Sequence, residues 1–136
     1  MNATGKCLCG AVTFSAEGVD PHFHACQCSM CRRWAGGPLM AVKVEAVAFE
    51  GASHIQRYAS SKWAERGFCS KCGTHLFYRF AGSDDYIVFA GFFGEGVAFE
   101  LKEQIFIDSK PEFYEFSNAT ENLTGAEVFA KFAPSD

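Results

Sequence analysis

The sequence predicts a mainly β protein of folded antiparallel sheets. Three observations carry this. Short segments of alternating apolar and polar residues recur along the chain, clusters of Gly, Ser and Asp separate them, and helical periodicity is thin. Residues 11–16 alternate, with Val12 and Phe14 on one face between Gly10 and Gly18. Residues 39–44 form a second strand, entered through Gly36, Gly37 and Pro38. Residues 47–49 form a third, stopped by Gly51, and residues 54–58 alternate as a half-buried strand. Residues 75–80 follow a Cys-x-x-Cys-Gly turn. Residues 86–90 are continuously apolar, which suits a central strand, and residues 104–107 make another. Two short helices are expected, at 29–35 and at 121–132, the second weakened by Gly125. Fifteen phenylalanines, many in the strand segments, supply core volume.

A chain of 136 residues without repeats or long linkers reads as a single domain, 1–136. Hydrophobic residues make up 49% and charged residues 21%, so the chain can bury an ordinary core. Twelve basic against sixteen acidic residues give a net charge of -4, which argues against a general nucleic-acid binder. No apolar run approaches the roughly 20 residues that cross a bilayer, so no membrane partner is expected. The first residues carry no apolar stretch resembling a signal peptide, which points to the cytoplasm.

Seven cysteines cannot all close into intrachain disulfides, and in a reducing compartment thiols more often bind metal or do chemistry. They fall into three groups: Cys7 and Cys9; Cys26, Cys28 and Cys31; Cys69 and Cys72. Cys-x-x-Cys followed by Gly73 is the shape of a zinc knuckle, and Cys-x-Cys serves equally when the middle residue points away. The first and third groups together supply the four thiolates of a structural zinc, which would clasp the N-terminal strand to the middle of the chain. Three ligands remain in the second group, the plan of a catalytic zinc with one open position. Three thiolates weaken the metal toward water, so such a site suits thiol chemistry. Other readings stay open: buried free thiols, a second closed site completed by His22 or His24, or a redox dithiol.

The three stretches Lys6–Cys7–Leu8–Cys9–Gly10, Cys26–Gln27–Cys28–Ser29–Met30–Cys31–Arg32 and Gly67–Phe68–Cys69–Ser70–Lys71–Cys72–Gly73 strongly resemble the glutathione-dependent formaldehyde-activating enzyme family, which includes centromere protein V. The resemblance runs from Gly5 to Tyr114. It implies a β-tent fold with two zinc ions per chain. Cys7, Cys9, Cys69 and Cys72 would hold the structural zinc, and Cys26, Cys28 and Cys31 the catalytic one. It also implies a carbon–sulfur lyase that joins glutathione, as co-substrate, to formaldehyde. Gln27 stands where many members carry His. The expected partners are a small thiol and an aldehyde.

Glutathione has two carboxylates, so Arg32 and Arg33 are candidate grips, with Gln27 and Ser29 as candidate contacts to the reacting oxygen. Trp34 suits either a pocket wall or the core, Arg66 could support the clasp, and His75 reads as a strand histidine. The competing function is a non-enzymatic, zinc-stabilised β-tent binding module, which a closed second site would favour.

Overall fold

The computed structural model describes residues 1–132. Eleven strands and two α-helices are placed among them: β1 (Ala3–Lys6), β2 (Thr13–Glu17), β3 (His22–Cys26), α1 (Ser29–Ala35), β4 (Leu39–Lys43), β5 (Ala46–Glu50), β6 (Ile55–Tyr58), β7 (Ala64–Cys69), β8 (His75–Phe80), β9 (Tyr86–Phe89), β10 (Glu100–Ile105), β11 (Glu121–Leu123) and α2 (Gly125–Phe132). The protein is mainly β, as the alternating segments predict. Two compact units emerge among the described residues, one holding Met1–Pro21 and Val42–Phe99, the other His22–Ala41 and residues 100–132.

The first unit contains a three-stranded antiparallel sheet, β1-β2-β5, and an antiparallel meander, β6-β7-β8-β9. Its core is aromatic. Phe14 on β2 meets Phe49 on β5 at 6.1 Å, Phe92 at 5.8 Å and Phe93 at 5.2 Å. Phe77 on β8 continues the cluster to Phe49 and Tyr86 at 5.3 and 5.0 Å. The glycines at positions 5 and 67 make room for these rings. A Cβ on Gly67 would lie 2.3 Å from the Phe77 ring, its register partner on β8.

In the second unit the strand order is β11-β10-β3-β4. The antiparallel expectation fails here at one strand: β10 runs parallel to both β3 and β11. Ile105 pairs with Cys26 and Leu39 with the same cysteine from the other side, so the thiol at the end of β3 is fixed by two neighbours. Helix α1 spans 29–35 as expected. The second helix starts at Gly125 rather than at residue 121, because Thr124 and Glu127 form a capping box. The Glu127 N–H donates to Thr124 Oγ1 at 3.2 Å, and the Thr124 N–H donates to Glu127 Oε1 at 3.1 Å. Residues 121–123 form β11 instead.

Candidate metal centres and the groove beside α1

The cysteines assemble into two separate groups. In the first unit the sulfurs of Cys7, Cys9, Cys69 and Cys72 all lie within 4.8 Å of one another. Cys9 Sγ is 3.6 Å from Cys7 Sγ and 3.8 Å from Cys69 Sγ. A disulfide would need about 2.05 Å. Four sulfurs each about 2.3 Å from a zinc ion lie about 3.8 Å apart along a tetrahedral edge, so the donor set fits zinc in both chemistry and spacing.

Local backbone explains the arrangement. Gly10 and Gly73 adopt φ of 81° and 78°, the left-handed turn that folds the chain behind each cysteine pair. The Val12 N–H donates to Cys7 Sγ at 3.4 Å and the Ala11 N–H to Cys9 Sγ at 3.5 Å. Thr74 ties the two knuckles together. Its Oγ1 accepts from the Leu8 N–H at 3.1 Å and lies 3.1 Å from Cys72 Sγ. That hydroxyl, foremost, pulls the Cys72 thiol down to about 5. Nothing in the local sequence marks Thr74, because its partner Leu8 is 66 residues away.

In the second unit the sulfurs of Cys26, Cys28 and Cys31 also converge within 4.8 Å. Cys26 ends β3, Cys28 is the N-cap of α1, and Cys31 lies in its first turn. The Cys31 N–H donates to Cys28 Sγ at 3.3 Å. Among the described residues no histidine or carboxylate joins this group. His22 instead faces Glu100, at 3.6 Å. Hydrogen bonds with Cys26 and then Cys31 hold the Cys28 thiol down at about 2, while hydrogen bonds with Cys28 and then Cys31 drive Cys26 upward. Three sulfurs converging within 4.8 Å form a donor set suited to a thiophilic cation such as zinc.

The candidate contacts separate once placed. Ser29, Arg32 and Arg33 line one groove of about 240 Å³ together with Gly36, Gly37, Phe113 and Tyr114. Gln27 is not in it. It is fully buried, and both ends of its amide are engaged: Tyr114 Oη donates to Oε1, and Nε2 donates to Gln104 Oε1 at 3.0 Å. Gln27 is thus placed as a buried, hydrogen-bonded residue rather than on the groove wall. Tyr114 and Gln104 escaped the sequence reading because they lie 87 and 77 residues from Gln27. Arg66 is buried in β7, donating from Nε to Ser60 Oγ at 3.2 Å and stacking over Tyr78. His75 is depressed by burial, with Arg66's charge second.

Residues 2–109 match the sequence profile of the family described as Glutathione-dependent formaldehyde-activating enzyme. The chain belongs to that family. It is 36% identical over 128 residues to an uncharacterized lyase of Schizosaccharomyces pombe, a match covering 91% of this chain and 92% of the relative. It is 35% identical over 86 residues to a Halomonas elongata protein named "Putative glutathione-dependent formaldehyde-activating enzyme", covering 56% of this chain and 55% of that protein. A crystal structure of a Rhodobacter sphaeroides protein superposes with a TM-score of 0.56 at 27% identity, covering 69% of this chain and 89% of that one. The formaldehyde-activating family profile includes every one of the seven cysteines and ends before Tyr114. No helix of the described residues is long and apolar enough to cross a membrane.

Proposed function

We propose that the protein is a zinc-dependent carbon–sulfur lyase acting on adducts of glutathione or a similar thiol, with formaldehyde as the default aldehyde. The observation that carries this is a cluster of three cysteine sulfurs, with no fourth protein ligand among the described residues, at the start of the helix whose Ser29, Arg32 and Arg33 line a groove. In this reading Cys7, Cys9, Cys69 and Cys72 hold a structural zinc, and Cys26, Cys28 and Cys31 hold a second. The whole chain then acts as one zinc-binding domain of the β-tent type. Seven free thiols suit the reducing cytoplasm.

When bound at the three-cysteine cluster, zinc would supply a Lewis acid that keeps an incoming thiol ionised near neutral pH. The chain's own residues do the rest. Arg32 lines the groove and is tethered through its Nε to the Gln27 carbonyl at 2.9 Å. Arg33 adds a second charge, and a thiol carrying carboxylates is held by these two at one end. Ser29, next in the chain to Cys28, lies along the same groove. In the synthetic direction the thiol loses its proton, a sulfur–carbon bond forms to the carbonyl carbon, and the oxygen takes up a proton. Lyase turnover runs the same steps backwards. Holding both reactants in one groove supplies much of the rate gain.

The test is exchange NMR with carbon-13 formaldehyde and glutathione. The protein should speed formation of the hydroxymethyl adduct above the uncatalysed rate, and Cys28→Ser should abolish the gain. No acceleration by protein carrying two zinc ions would sink the proposal.

A further inference from the structure

Gln27 is unusual in being a buried amide placed between two cysteines of one cluster. A buried amide left unpaired costs about 1–3 kcal/mol, and Gln27 is paired at its backbone N–H and carbonyl and at both ends of its side chain. Its N–H donates to the Ile105 carbonyl at 3.0 Å, on the last residue of β10. Its carbonyl accepts from Arg32 on α1. The side-chain Nε2 reaches Gln104, which passes the chain on to Thr120 at 2.9 Å and thence to Asn122 at 2.8 Å. The side-chain Oε1 accepts from Tyr114. The backbone between Cys26 and Cys28 is therefore pinned through one residue, by its main chain and its side chain together.

Tyr114 also forms part of the wall of the 240 Å³ groove. One residue thus lines the groove and, through its hydroxyl, holds the residue between the two cysteines. We propose that Gln27 and Tyr114 are a positioning pair, through which the groove's aromatic wall sets the geometry of the three-cysteine cluster. This rests on the reading that the cluster holds zinc. Neither residue reaches the metal or the reacting atoms; each acts through the cysteines. Groups that hold metal ligands in place typically change metal affinity about 10–100-fold when removed.

The experiment follows zinc release from the intact, zinc-loaded chain to a chromophoric chelator. Two release phases are expected from the wild type, the one belonging to the three-cysteine cluster being the phase missing in Cys28→Ser. Tyr114→Phe keeps the ring and removes only the hydroxyl. It should retain two zinc ions and cooperative unfolding, speed the three-cysteine phase about 10–100-fold, and leave the other phase unchanged. Cobalt-loaded Tyr114→Phe should also show a shifted thiolate-to-metal absorption band. Should that variant fail to fold, Gln104→Leu removes the partner at the other end of the same amide and should produce the same selective loss. Both phases at wild-type rates with an unshifted cobalt band would overturn the pairing. A wild-type chain that binds only one zinc would instead remove the reading on which the pair rests.

Discussion

Cutting the four-cysteine clasp should cost the fold far more than cutting the three-cysteine cluster. The sharpest form of the test replaces Cys9 and Cys72 together by Ser. Cys9 is exposed and Cys72 half-buried, so little core packing is lost, and two sulfurs remain, too few for a tetrahedral site. The clasp links positions 60 residues apart. Treated as a cross-link closing a loop of that length, it restrains the unfolded chain by about 4 kcal/mol. That is a large share of the roughly 5–15 kcal/mol by which a domain is stable. Urea denaturation of zinc-loaded protein should show a loss of about 4 kcal/mol for the double variant. Cys28→Ser, which opens no long tether, should lose no more than about 1 kcal/mol. A double variant as stable as the wild type would refute the reasoning, and so would equal losses for both proteins.

Other perturbations reach different parts of the structure. Gly67→Ala drives a methyl group into the Phe77 ring and should destabilise by about 1–3 kcal/mol in the same urea assay. Glu65 accepts from Arg79 at 2.9 Å and from Arg57 at 2.6 Å, and these cations, Arg79 first, hold its carboxyl below the usual range. A depressed folded value means that the contribution is present above the unfolded pKa of 4.5 and fades as pH falls through the folded value. Glu65→Gln should therefore narrow its stability deficit against the wild type below pH 4.5, measured by urea midpoints across acid pH. Arg33→Ala should raise KM for glutathione about tenfold with little change in kcat, since a carboxylate grip of this kind is made equally in ground and transition states.

The cysteine clusters were legible because their signals are local. Cys-x-Cys-Gly and Cys-x-x-Cys-Gly each place the sulfurs and the left-handed glycine within a few residues. The strands at 75–80 and 86–89 were legible for a similar reason, an apolar run stopped by turn residues. β7 was not, since Glu65 and Arg66 sit mid-strand and break the alternation. Their charges are accommodated only in the folded sheet, Glu65 by Arg57 and Arg79 from the strands on either side. β3, with two histidines in five residues, was missed too, and the parallel pairing of β10 depends on partners that no local pattern names. The candidate site divides along the same line. Ser29, Arg32 and Arg33 follow directly from the helix after the cysteines, whereas Thr74, Gln104 and Tyr114 enter through contacts 66 or more residues long.

The most direct test of the four-plus-three arrangement is cadmium-113 NMR of the cadmium-substituted protein, recorded before and after glutathione is added. Two resonances are predicted. The one from Cys7, Cys9, Cys69 and Cys72 should stay fixed, and the one from Cys26, Cys28 and Cys31 should move downfield as a fourth sulfur joins. A single resonance, or two that both ignore glutathione, would contradict the open thiol-binding site.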